Sequence, residues 1–228
     1  MSQTWTEQLE ADLARLAREG QLRSVDKVAA APVVDLCSND YLGVAREGYA
    51  QFLADYGGGE EGALLGSARA SRLLGGAQAE CLALEAQAQV VFSQAVLALN
   101  SGYHANIGLL PALTSKADLI VADKAVHASL IDGARLSAAR LLRYPHQDLQ
   151  ALEQLLAKHR AQYQRVWVVT ESVFSMDGSI TDLQALVALK HKFAVQLYVD
   201  EAHAVGLWWA GAWGCRMRRG WRGRLRCW

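Results

Sequence analysis

The sequence predicts an α/β fold with a mostly parallel sheet and helices on both faces. Two observations lead to this prediction. Between residues 95 and 200, short apolar segments rich in Val, Leu and Ile alternate with longer segments whose leucines recur at helical spacing. Asp148 and Asp182 stand directly before two of the helical segments, where side-chain caps are favoured. Strands that alternate with helices are typical of βα units and parallel sheets.

Five apolar segments are the predicted strands. They cover residues 95–102, 118–123, 139–144, 165–172 and 194–200. Ligands of such sheets bind at the carboxyl ends of the strands, so the residues that follow each strand are the first candidates for a functional site.

The predicted helices fill the intervals between the strands. The first one lies near the N-terminus, where Thr4 and Glu7 form a capping box and leucines follow at helical spacing. A short strand and turn are expected at residues 33–43. The glycine-rich residues 57–76 fit either a flexible linker or a loop that approaches a ligand closely. Further helices are expected at about residues 77–90, 102–113 and 127–138, and after Asp148 and Asp182.

Composition and charge narrow the function classes. The chain has 228 residues, of which 52% are hydrophobic, and 23 basic residues balance 23 acidic ones. This balance argues against partners such as nucleic acid or a membrane surface. The four cysteines form no CxxC pair, which favours reduced thiols in a cytoplasmic protein and no metal site. The N-terminus is too polar for a signal peptide, and no segment reaches the roughly 18 apolar residues of a membrane span.

Polar and aromatic residues follow four of the predicted strands. We expect them to converge at one edge of the sheet as a binding site. Each also has an ordinary structural interpretation, as a turn, a helix cap or a solvated loop residue. Taken together, they suit a flat, phosphorylated, cationic ring such as pyridoxal phosphate. These candidates are Gly102, Tyr103, His127, Ser175, Asp200 and His203.

Five motifs stand in order along the chain. They are SNDYLG (38–43), SGYHAN (101–106), DKAVHASLIDG (123–133), TESVFSMDGS (170–179) and VDEAHAVG (199–206). With these motifs the chain resembles the α-oxoamine synthases, pyridoxal-phosphate enzymes of the aspartate aminotransferase fold (fold type I). The resemblance implies joining an amino acid to an acyl-CoA or acyl-carrier thioester with release of CO2. The likeness is greatest to members that condense alanine on the route to biotin, and a glycine-condensing enzyme remains an alternative.

The resemblance implies a role for each candidate in binding pyridoxal 5'-phosphate. Gly102 and Tyr103 would contact the phosphate through their backbone, His127 would stack on the pyridine ring, and Ser175 would donate a hydrogen bond to the cofactor.

The remaining candidates would act on the ring and on the substrate. Asp200 would hold the proton of the ring nitrogen, and His203 would contact the phenolic oxygen of the ring. Together with His127 they form the expected catalytic set. Arg23 stands where the family places an arginine for the substrate carboxylate. The family also implies a homodimer.

Two departures from the family pattern are visible. Cys81 replaces a histidine of the family, which we interpret as a packing variation. The family's Schiff-base lysine follows the VDEAHAVG motif, but this sequence has no lysine after Lys192. We therefore expect an incomplete large domain that is inactive alone, a non-catalytic binding module being the alternative. An aminotransferase of the same fold is a further alternative.

The last 22 residues have an unusual composition. Five of the seven tryptophans and six arginines lie there without helical or alternating spacing. We interpret this tail as the product of a frameshift after about residue 206. The alternative is a real basic-aromatic tail that binds nucleic acid or a membrane. The expected organisation is an N-terminal segment at residues 1–50, a partial cofactor-binding domain at 51–206 and an aberrant tail at 207–228.

Overall fold

The structure is a computed structural model that describes residues 5–22 and 79–205. The chain divides into two compact units, Met1–Gly59 and Glu60–Trp228. In the first unit, helix α1 covers Trp5–Arg18, where the capping box predicts a helix. The predictions at residues 33–43, 57–76 and 207–228 lie outside the described residues.

The second unit contains alternating helices and strands. The elements are α2 (Ala79–Phe92), α3 (Gly102–Leu113), β1 (Leu119–Asp123), α4 (Ala128–Leu136), β2 (Arg140–Tyr144), α5 (Leu149–His159), β3 (Val166–Glu171), α6 (Leu183–Phe193) and β4 (Gln196–Asp200). A 3-10 turn at Arg160–Gln162 follows α5.

The four strands form one parallel sheet in the order β2-β1-β3-β4. All five residues of β1 and all six of β3 are buried, as expected for inner strands covered on both faces. The outer strand β2 is only partly buried. The prediction of a mostly parallel sheet with helices is confirmed.

Each face of the sheet has its own apolar core. Alternate residues of a strand point to opposite faces, so Val121, Val168 and Val199 pack with leucines of α5 and α6. Ile120 and Tyr198, on the other face, pack with residues of α3 and α4. Helices therefore cover both faces.

Short polar side chains cap the helices that the sequence marks. Asp148 accepts a hydrogen bond from Ala151 N at 2.8 Å, and Asp182 accepts bonds from Gln184 N and Ala185 N at 3.0 and 3.2 Å. These bonds satisfy backbone N–H groups that have no partner within the helix, and so fix where each helix begins.

The strand predicted at residues 95–102 is wrong. These residues form no ladder, since none of the described segments lies beside them as a partner. The side chains of Leu97 and Leu99 are 55% and 44% exposed. Apolar sequence alone does not make a strand, because a strand also needs a neighbour for its backbone hydrogen bonds.

Within residues 5–22 and 79–205, no helix combines the length and the apolar character needed to cross a membrane.

Helices α3 and α4 are in close contact at Gly133. A Cβ atom at this position would lie 2.3 Å from the backbone oxygen of Asn106. Such a distance is impossible without moving one of the two helices, so only glycine fits there.

We expect Gly133→Ala to lower the free energy of unfolding by about 1–3 kcal/mol, because the added methyl group overpacks the helix contact. Gly108→Ala is the matched control, since an added Cβ at this helical glycine meets nothing within 4 Å. The control should be neutral or stabilising by up to about 1 kcal/mol. Urea unfolding measures both, and equal effects of the two variants would contradict the close contact.

Candidate functional site

Three acidic residues mark the carboxyl edge of the sheet. Asp123, Glu171 and Asp200 are the last residues of β1, β3 and β4. Glu171 is directly beside Asp200 in the β3–β4 register. Asp123 and Glu171 are only 1% and 3% exposed, so their carboxyl groups require hydrogen-bond donors from the surrounding loops.

Asp200 is held by two N–H groups. Asn106 Nδ2 donates to Asp200 Oδ2 at 2.9 Å, and Ala202 N donates to Oδ1 at 2.9 Å. The bond from Ala202 also means that Asp200 caps its own turn. A carboxylate has room for further donors, and the half-buried Asp200 retains the capacity to accept one from a ligand.

Asn106 connects Asp200 to the adjacent helix. It is 4% exposed, and its Nδ2 also donates to Ser129 Oγ at 2.9 Å. Its Oδ1 accepts a bond from Tyr198 OH at 2.7 Å. The carboxylate of Asp200 only accepts hydrogen bonds, so the orientation of the amide is fixed.

His127 begins helix α4 and is exposed at the same edge. Its Nδ1 accepts a bond from Ser129 N at 3.2 Å and lies 2.8 Å from Ser129 Oγ. Because Nδ1 is the acceptor, a neutral His127 carries its hydrogen on Nε2. Ser129 thus links His127, through Asn106, to Asp200. The capping role of His127 fixes its position and leaves the ring available to a ligand.

Glu171 connects the segments of His127 and Ser175. The backbone N–H of His127 donates to Glu171 Oε1 at 2.5 Å, and the N–H of Ser175 is a further donor. Burial raises the pKa of Glu171 from 4.5 to about 7. The negative charges of Asp200 and Asp123 raise it as well, while the two backbone donors lower it.

Gly102 and Tyr103 form the first turn of α3, beside the other site residues. Ser101 caps this helix by accepting a bond from His104 N at 3.1 Å. The first N–H groups of a helix have no partner within the helix, and they favour an anion. The ring of Tyr103 is roughly perpendicular to that of His127, with centroids 6.4 Å apart.

The phenol of Tyr103 bonds to helix α4. Tyr103 OH donates to Asp132 Oδ2 at 2.6 Å. This bond raises the pKa of the Tyr103 phenol above its usual value. Tyr103 is therefore held in place by its side chain, while its backbone N–H remains at the helix start.

Two of the other predicted residues lie in turns at this edge. Ser175 is exposed in the turn after β3, and His203 is half-buried in the turn after β4. Both follow strand ends of the same edge. Arg23 lies outside the described residues. Cys81 is exposed on α2.

An apolar cavity of about 490 Å³ adjoins the start of α3. It lies between the segment before α3 and the outer strand β4, and Gly102 and Ala202 are at its margin. Its apolar walls include Phe92, Leu97, Leu99, Leu109, Val199 and Val205. The described residues contain no cluster of His, Cys, Asp or Glu that could hold a metal ion.

Asn106 and Glu171 are two residues of the site to which the sequence alone assigns no role. Asn106 has a detectable signal, since it is a polar residue in the apolar stretch ANIGLL, four positions after Gly102. Glu171 is likewise an acidic residue at the end of an apolar strand. Their partners are 94 and 44 residues away in sequence, so their bonds to Asp200 and His127 become evident only in the fold.

Comparison with known proteins identifies the family. The sequence profile described as "Aminotransferase class I and II" matches residues 31–217. The chain belongs to this family. It is 45% identical over 220 residues to the 8-amino-7-oxononanoate synthase of Haemophilus ducreyi, an alignment that covers 89% of this chain and 56% of the relative. The chain spans about half the length of the curated relatives that it matches.

Solved structures agree with this family and its fold. The 8-amino-7-oxononanoate synthase of Francisella tularensis superposes with a TM-score of 0.60 at 30% identity, covering 81% of this chain and 49% of that one. The serine palmitoyltransferase of Sphingomonas wittichii superposes with a TM-score of 0.77 at 26% identity, covering 96% and 57%. Both are α-oxoamine synthases, so the resemblance to that group and the type I fold are confirmed.

We expect Glu171→Gln to flatten the pH dependence of stability between about pH 4.5 and 7. A raised pKa means that the folded state binds a proton which the unfolded state has released, so wild-type stability falls as pH rises through this range. The fall attributable to Glu171 is on the order of 2–3 kcal/mol. Urea unfolding at pH 4.5, 6 and 7.5 measures it.

Glu153→Gln is the control for this experiment, since Glu153 is exposed and pairs with Lys192. It should leave the wild-type slope almost unchanged. An identical slope for wild type and Glu171→Gln would contradict the raised pKa.

Proposed function

We propose that this chain provides the cofactor-binding part of a pyridoxal-phosphate-dependent acyltransferase. The reaction joins an amino acid, alanine, to an acyl-CoA or acyl-carrier thioester and releases CO2, as in 8-amino-7-oxononanoate synthesis for biotin. The family and the names of the relatives support this proposal. A homodimer and a cytoplasmic location form part of the same proposal, by resemblance to the family.

One observation carries the proposal. Asp200, at the end of β4, and His127, at the start of α4, are joined through Asn106 and Ser129, beside the N-terminus of α3. A carboxylate, an imidazole and a helix N-terminus at one sheet edge match the charges of a cationic ring that carries a phosphate. The residues present therefore fit pyridoxal phosphate.

Asp200 and His127 would bind the ring of the cofactor. Asp200 would hold a proton on the ring nitrogen, and Asn106 would orient the carboxylate through its bond to Oδ2. The partial burial of Asp200 would strengthen this ion pair relative to one in water. His127 would hold the ring by stacking.

The loops would bind the other polar groups of the cofactor. The N–H groups of Gly102 and Tyr103 bind the phosphate, and the hydroxyl of Ser175 donates a hydrogen bond. His203 contacts the phenolic oxygen. Arg23 binds the carboxylate of the amino acid. Pyridoxal phosphate, when bound, supplies a ring that accepts the electrons released when a bond at the α-carbon of the amino acid breaks.

A non-catalytic cofactor-binding module is the second candidate. The observation that favours it is that these 228 residues contain no lysine after Lys192, lysine being the nucleophile that the resemblance implies.

The cofactor site is tested with pyridoxamine 5'-phosphate, the amine form, which forms no Schiff base with protein lysines. We expect Asp200→Ala to weaken its binding by roughly tenfold, because a charge-assisted hydrogen bond is lost. Asn106→Ala should weaken it less, since Asp200 remains but is no longer oriented. Equilibrium dialysis measures the affinity.

Glu153→Gln is again the control and should bind like the wild type. If Asp200→Ala binds as tightly as Glu153→Gln, Asp200 does not contact the ring and the proposed site is wrong.

The reaction is tested by following thiol release from pimeloyl-CoA in the presence of alanine. We expect no turnover by the 228-residue chain with pyridoxal phosphate, because the lysine is absent, whereas the Haemophilus ducreyi relative should react. Alanine-dependent thiol release by the chain alone would show that another residue replaces the lysine. Release with glycine but not alanine would favour the glycine-condensing alternative.

A further inference from the structure

His146 lies in the loop between β2 and α5 and contacts two other parts of the sheet edge. Its Nδ1 is 3.0 Å from Asp123 Oδ1, at the end of β1. Its Nε2 is 2.9 Å from Ser179 Oγ and 3.6 Å from Asp177 Oδ2, both in the turn after β3. The side chain of His146 thus links the loop after β2, the end of β1 and the turn after β3.

Asp123 is buried and is held in place by several hydrogen bonds. It is 1% exposed, and its carboxylate also accepts bonds from Ala125 N at 2.7 Å and Gln147 N at 2.8 Å. Because Asp123 only accepts hydrogen bonds, Nδ1 of His146 is the donor. In the neutral ring Nε2 then accepts the hydroxyl hydrogen of Ser179, so both ring nitrogens are used.

The turn at residues 173–180 is exposed where it carries Ser175. Its shape comes from short-range bonds, such as Phe174 N to Ser179 O at 3.0 Å and Gly178 N to Phe174 O at 2.9 Å. The turn also meets the end of β3, since the N–H of Ser175 donates to Glu171 and Thr181 Oγ1 donates to the backbone oxygen of Glu171 at 2.6 Å. The ring of His146 adds a separate contact from the side of β1 and β2, since it packs edge-on against the buried Phe174 with centroids 4.4 Å apart.

We propose that His146 is a positioning residue that ties the turn at residues 173–180 to the buried Asp123. It thereby holds Ser175 at the sheet edge, next to the segment of His127. The consequence for cofactor binding rests on the proposed function of Ser175, whereas the anchoring of the turn does not.

Two single variants and their combination test the anchoring. His146→Asn keeps a donor near the position of Nδ1 but cannot reach Ser179, and Ser179→Ala removes the partner while leaving His146 on Asp123. We expect each to raise amide hydrogen exchange at residues 174–180 by about fivefold, the effect of one lost hydrogen bond. Because the side chain of Ser179 acts only through His146, the double variant should exchange no faster than His146→Asn alone.

His159→Asn is the control, since His159 ends α5 and its ring lies 3.4 Å from Gln162 Oε1, within the same segment. It should leave exchange in the turn unchanged. Unchanged exchange in His146→Asn and Ser179→Ala would overturn the proposal. So would an equal increase throughout β1, β3 and the turn, because that would indicate general destabilisation.

Pyridoxamine 5'-phosphate binding separates this inference from the proposed function. We expect both single variants to bind it more weakly than His159→Asn by a factor of about five. Faster exchange with unchanged affinity would support the anchoring and overturn the role of Ser175 in binding. If the wild type itself does not bind, the proposed function fails, and the exchange measurements still decide whether His146 positions the turn.

Discussion

Three carboxyl groups at one sheet edge, two of them buried and one half-buried, are the constraint on which the site depends. The parallel register brings Asp123, Glu171 and Asp200 together at the ends of neighbouring strands. Buried acids are costly unless N–H groups reach them, and the sheet's own ladders do not supply these donors. The donors come from the loops and from α3. The positions of these segments are therefore set by the acids that they satisfy.

Each acid organises a different part of the site. Asp200 orients Asn106, which links it through Ser129 to His127. Glu171 accepts the N–H of His127. Asp123 receives the ring of His146 and the backbone N–H of Gln147, both in the loop after β2. Because these contacts share residues, the site is a connected hydrogen-bond network. Loss of one residue is therefore expected to change the positions of the residues bonded to it.

Close packing of two helices completes this arrangement. Asn106 reaches both Ser129 and Asp200 only because α3 lies against α4 at Gly133, where a larger residue would meet the Asn106 backbone. The fold thus places one polar residue between two elements of the site. Gly133, a small residue of α4, thereby sets the position of the polar residue Asn106 on α3.

The sequence by itself determined the strands of the sheet, the capped helices and the family, because these depend on local periodicity, caps and short motifs. It also identified the segments that meet at the sheet edge, since the ends of parallel strands share one edge. Tertiary structure decided the rest. Residues 95–102 have the composition of a strand, but they form no ladder with any segment that the structure describes. The roles of Asn106, Glu171 and His146 depend on partners far away in sequence, and only the packing of the chain brings such partners within hydrogen-bond distance.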